Sequence, residues 1–195
     1  SIGEPLALTD EEMTGRVYEF LLSDADITDP AILEAIDDTT IAVPILLEVT
    51  VAAGQIAFMG AMGGVTEDGT LVQHPDYEPF YFPAADFSAS PYFHSQSELV
   101  SITYNGAEVP MHNFELFGTF LADGSAVVEA EVVALIDTSN IGPLLGQSDD
   151  PDAACDFTAS LGLYCEACPD GEERCLNLAG ENITLDYYEG MDLVE

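Results

Sequence analysis

FELFGTFLADGSAVVEAEVVALI, residues 114–136, is the stretch on which the fold turns. Its even positions are all apolar or glycine: Phe114, Leu116, Gly118, Phe120 and Ala122, then Ala126, Val128, Ala130, Val132, Ala134 and Ile136. Glu115, Thr119, Glu129 and Glu131 stand at odd positions, mixed with apolar residues. A period of two is that of a strand with one face on a core and one toward solvent, so the two runs read as an antiparallel hairpin. A two-residue loop at Asp123-Gly124 pairs Phe120 with Val127 and sets Glu129 beside Gly118 on the apolar face. A three-residue loop, Asp123-Gly124-Ser125, pairs Ala122 with Ala126 and keeps every even position on one side. Because a one-residue slip turns a whole strand over, the three-residue loop is predicted. Gly124 then takes the left-handed conformation such a loop requires.

Working outward, Leu99 to Tyr104, Asn105-Gly106 and Ala107 onward carry a strong hairpin signature. Before them, residues 74–97 hold prolines at 75, 79, 83 and 91 among Tyr77, Phe80, Tyr81, Phe82, Phe87, Tyr92 and Phe93. This reads as a long ordered loop, of the kind that often carries function. Ile41 to Val65 is long enough to cross a bilayer, its only polar side chains being Glu48, Thr50 and Gln55. Glu48 would then lie unpaired in hydrocarbon, and Pro44, Gly54, Gly60, Gly63 and Gly64 would interrupt the helix. No Lys or Arg flanks it to set an orientation. Two buried strands, Thr40 to Ala52 and Gln55 to Met62, joined near Ala53-Gly54, are predicted instead of a span.

Nearer the start, Thr9 to Glu12 fits a capping box. Arg16 to Leu22 reads as a strand, and Asp29-Pro30 precedes a short helix over Ala31 to Ile36. Toward the end, Asp149 or Asp150 caps a helix over Ala153 to Leu161. Cys175 to Leu178 and Asn182 to Tyr187 read as closing strands. The expected fold is mainly β: one antiparallel β domain over residues 1–195, a β-sandwich or open barrel with two short helices. Its C-terminal segment is stapled by disulfides, with a Cys-containing helix–loop subregion at 145–180.

The chain has 37 acidic residues, two arginines and no lysine, for a net charge of -35, yet 48% of its residues are apolar. Disorder requires low hydrophobicity alongside high charge, so a packed core is expected. Two arginines cannot build a phosphate-neutralising face, which excludes nucleic acid as a partner and disfavours anionic membranes. Such a charge calls for compensation by salt, divalent cations or a cationic partner. Arg16 and Arg174 are the only points of attack for trypsin-like proteases.

Cys155, Cys165, Cys168 and Cys175 allow three disulfide pairings, and spacing does not choose among them. Four thiolates on zinc are the competing reading, but only Cys165 and Cys168 have the C-x-x-C spacing usual at such sites. Two structural disulfides are expected, and with them an oxidising, extracellular or cell-surface location. The segment ACDFTASLGLYCEACPDGEERCLNL (154–178), with GTFLADGSAVVEAEVVALIDTSNIGPLLG (118–146), resembles uncharacterised secreted or lipid-anchored proteins of myxobacteria. That resemblance implies export and disulfides and no particular chemistry. Asn182-Ile-Thr184 matches the N-glycosylation sequon.

There is no G-x-S-x-G elbow and no phosphate-cradling loop. His74, His94 and His112 lack the spacing of a metal triad. The best ligand set is Asp24, Asp26 and Asp29, a candidate Ca²⁺ site without the glycine and distal glutamate of an EF-hand. Asp149, Asp150 and Asp152 form a second candidate. The functional expectation is a non-enzymatic extracellular structural protein, a self-assembling subunit of a filament, sheath or layer, with Ca²⁺ as a candidate stabilising ion. The alternative is a secreted module gripping a glycan or an apolar ligand with residues 74–97.

Overall fold

A computed structural model describes residues 3–21, 24, 26–27, 43–104 and 106–194. In it the chain is mainly β, one antiparallel sheet curled into an open half-barrel. The strands are β1 (Val17–Leu21), β2 (Asp26–Ile27), β3 (Pro44–Ala52), β4 (Gln55–Val65) and β5 (Leu71–Gln73), then β6 (Phe80–Asp86), β7 (Tyr92–Tyr104), β8 (Ala107–Phe120), β9 (Ala126–Asp137) and β10 (Cys175–Tyr188). The order across the sheet is β5-β4-β3-β1-β10-β9-β8-β7, with β2 pairing β10 and β6 pairing β4. Among the described residues the two helices are α1 (Asp10–Met13) and α2 (Ala153–Ser160), the latter preceded by a 3₁₀ turn at Gly142–Leu145.

The alternation of residues 114–136 does set the core face, but the turn differs from expectation. Leu121 donates its N–H to the Ala126 carbonyl at 2.9 Å, so four residues, 122–125, form the loop. Phe120 then stands opposite Val127, the register expected to bury Glu129. A bulge prevents this. Thr119 pairs with Val128 and Phe117 with Glu131, so Glu129 and Ala130 share the place opposite Gly118. Glu129 adopts φ 50° and stays exposed, and from Ala130 onward the even positions again face the core. One irregular residue thus reconciles the turn with the pattern, as bulges commonly do.

Residues 74–97 are not a long loop: they contain β6 and the start of β7. Their aromatic side chains mostly fill the concave side of the sheet. Phe58, on β4, packs against Phe82 and Phe93 at centroid separations of 6.3 and 5.0 Å. Phe82 also meets Phe114 at 5.0 Å, which ties the two ends of the half-barrel together. Gly60 makes room for this layer, since a Cβ there would lie 2.0 Å from the Phe80 ring. Alternation failed as a signal in β6 because its outward positions carry Tyr81 and Pro83 instead of polar residues.

The apolar stretch 41–65 folds, over its described part, as β3 and β4 joined through Ala53 and Gly54, both at positive φ. No helix among the described residues is long and apolar enough to cross a membrane. The Glu48 carboxylate accepts the Leu193 N–H at 3.0 Å, where the C-terminal tail crosses the convex face. There Leu193 closes a second, smaller cluster with Val17, Leu46, Ala61 and Leu71. The Thr9–Glu12 capping box is present at α1, with both reciprocal hydrogen bonds formed. Cys175–Tyr188 is one strand with an internal bulge, not two strands. Asp152, not Asp149 or Asp150, is the N-cap of α2, and no side chain caps it. The predicted helix at 31–36, its Asp29-Pro30 start, residues 40–42 and Asn105 of the hairpin turn lie outside the described residues.

Candidate functional site

The cysteines pair as Cys155–Cys165 and Cys168–Cys175, leaving none free. This overturns the zinc alternative, which needs thiolates. The first bridge staples α2 to the loop after it; the second fixes that loop to the start of β10. Such bonds persist in oxidising compartments, so the chain belongs outside the reducing cytoplasm.

The three histidines lie on different parts of the fold, and of the first candidate Ca²⁺ set Asp24 and Asp26 are described. Asp26 lies on β2, and its carboxylate accepts a hydrogen bond from the Asn182 side-chain amide at 2.8 Å. Asp24 is exposed nearby in sequence, and Asp29 lies outside the described residues. The Asp150 carboxylate is taken up by the Asp152 N–H at 3.0 Å. His74 packs on Tyr77, His94 bonds Glu115, and His112 stands opposite Leu99 and Leu135. No three His, Cys, Asp or Glu side chains are placed to share a metal ion among the described residues.

What the fold does assemble is a patch on the convex face, where the odd positions of β8 point. Tyr92, His94 and Gln96 of β7 stand opposite Thr119, Phe117 and Glu115 of β8. Glu131 and Val133 of β9 flank Phe117 and Glu115 in turn. His94 stacks on Phe117 with centroids 4.1 Å apart and planes inclined by 15°. Its Nε2 lies 2.7 Å from Glu115 Oε2, which also accepts from Gln96 Nε2 at 3.1 Å. Those two bonds, that from Gln96 foremost, hold the Glu115 carboxyl below its ordinary pKa and keep it charged.

Beside the stack, two bulges meet. The ladder between β9 and β10 shifts on both sides of Ile183, at Glu129 on one strand and at Asn182, φ 55°, on the other. The displaced side chains help to wall a cleft of about 370 Å³ lined by Tyr92, Phe117, Thr119, Glu129, Glu131 and Asn182. Tyr92 is 43% exposed at its edge. The cleft offers π faces, two carboxylates and an amide, groups suited to gripping a polar or cationic ligand.

Sequence reasoning placed Glu115, Thr119, Glu129 and Glu131 on the solvent face but did not gather them into a site. Bulges do not show in an alternation pattern, and only they bring Asn182 to Glu129. The sequon asparagine therefore sits in a strand, hydrogen-bonded to Asp26. No protein-family model matches this chain, and no curated protein or solved structure is similar to it.

Proposed function

We propose that this protein is a non-enzymatic component of an extracellular surface assembly (filament, sheath or layer) that docks through the convex face of β7–β9. The observation that carries this reading is the partly exposed aromatic group of Tyr92, Phe117 and His94, clustered on one face of a chain whose net charge is -35. Aromatic residues are enriched at the buried centres of protein interfaces. Export is supported by the two disulfides and by the resemblance of the Cys segment to secreted proteins. Metal ions such as Ca²⁺, or a cationic component, offset the repulsion that a net charge of -35 brings to any assembly of copies.

For the alternative, a ligand grip by residues 74–97, Phe80, Phe82, Phe87 and Phe93 are core residues, which leaves the exposed Tyr81 and Tyr92 to make the contact. The test is oxidative side-chain footprinting of the surface-associated protein against the released protein. The reading expects Tyr92 and Phe117 to be protected only in the associated form. Equal reactivity in both forms, or recovery solely as free monomer, overturns it.

A further inference from the structure

We infer that the cleft between Tyr92, Phe117 and Glu131 receives an arginine side chain of a basic partner protein; this rests on the docking reading above and names its partner. Three observations converge on a planar cation. The first is a ring floor: Phe117 is held in place by its stack on His94, and Tyr92 stands at the cleft edge. A guanidinium lies well on such faces, better than a compact ammonium. The second is charge. Glu131 is the direct cross-strand neighbour of Phe117, and Glu129 lines the same cleft. A carboxylate beside a ring lets one guanidinium stack and form paired hydrogen bonds together. The third is the neighbouring apolar surface: Val133, opposite Glu115, is 36% exposed next to the stack. A partner segment covering it presents an apolar residue beside its cation, which a free polyamine does not.

A second copy of this chain offers no unengaged guanidinium. Arg16 Nε donates to the Glu12 carbonyl at 2.9 Å and Nη1 to the Gly124 carbonyl at 3.0 Å, while the guanidinium lies 4.4 Å from the Tyr187 ring centroid. Arg174 lies 3.4 Å from Glu172 and is itself only partly exposed. No lysine occurs in the sequence. The partner is therefore a different, basic chain.

The test is titration calorimetry of the intact disulfide-bonded protein in 150 mM salt. The probes are a short peptide alternating valine with arginine, its citrulline counterpart, spermine and a neutral oligosaccharide. The arginine peptide is expected to bind, and the citrulline peptide to bind at least about tenfold more weakly. The pair Glu129→Gln and Glu131→Gln should weaken the arginine peptide by about tenfold, and Phe117→Leu by about fivefold. The same loss of two charges at the exposed Glu67 and Glu78, outside the cleft, should change it less than about twofold. Unchanged near-ultraviolet dichroism in each variant separates lost binding from lost fold.

Equal weakening by both charge pairs, binding of citrulline peptide or spermine as tight as that of the arginine peptide, or oligosaccharide binding alone overturns the inference. Protection of Tyr92 and Phe117 in the assembled form alongside failure of the peptide would retain the docking face and discard the cationic partner. Peptide binding without such protection would do the reverse.

Discussion

Arg16 donates from Nη1 to the carbonyl oxygen of Gly124 at 3.0 Å, binding the approach to the first strand to the tip of the β8–β9 hairpin. The buried Tyr18 hydroxyl donates to the same oxygen at 2.9 Å. Gly124 takes φ 68°, a conformation that disfavours a side chain, and a Cβ there would push the Leu8 side chain, 2.5 Å away, out of place. Arg16→Met removes two charge-assisted hydrogen bonds and a cation–π contact, and is expected to cost about 3 kcal/mol in urea unfolding. Tyr18→Phe should cost about 1 kcal/mol. A variant of Arg16 as stable as the parent would show that the hairpin tip needs no tether.

Burial raises the Tyr18 pKa to about 12. A raised folded value means that this contribution is complete below the ordinary phenol pKa and is lost as pH climbs through about 12. Stability of the parent should therefore fall across that alkaline window. Tyr18→Phe should fall less steeply there, and a parallel decline in both proteins would contradict the assignment.

Glu19 and Asp186 are direct cross-strand neighbours on β1 and β10. Burial, and then the Asp186 charge, push the Glu19 carboxyl above its ordinary pKa. Its favourable contribution is thus complete below the unfolded carboxylate value and disappears as pH rises through the raised one. Glu19→Gln should stabilise the protein by about 0.5 kcal/mol near neutral pH, the scale of one like-charge pair across strands. The gain should vanish in acid; destabilisation at neutral pH would refute it.

The Ser95 hydroxyl is fully buried on β7 and has no hydrogen-bond partner among the described residues. An unsatisfied buried polar group costs about 1 kcal/mol or more. Ser95→Ala should raise the unfolding midpoint in urea by a corresponding amount with an unchanged slope. A lower midpoint would mean that the hydroxyl is satisfied in solution.

Charge repulsion spread over the whole coat should respond to screening. Between 0.01 and 1 M salt the Debye length shrinks from about 30 to about 3 Å. At a net charge of -35, the melting temperature is expected to rise by at least about 5 °C over that range. A flat response would show that the carboxylates are already neutralised.

Alternation in residues 114–136 and the two apolar runs about Ala53-Gly54 specify antiparallel strands, and the Thr9–Glu12 capping box a helical turn, because their signals are local. A period of two, an i to i+3 capping pair and a two-residue turn each act over a few neighbours. The clustered cysteines announced disulfides but not their pairing, which depends on where α2 and β10 come to lie. The convex cleft was illegible for the same reason. It exists only because bulges at Glu129 and Asn182, far apart in sequence, coincide across one ladder. Likewise, Phe80, Phe82 and Phe93 read as a loop's aromatic cargo until β4 and β8 closed over them. Local propensity determines which residues extend and which turn. Only the packing of distant strands against one another determines which faces meet, and so where a partner can bind.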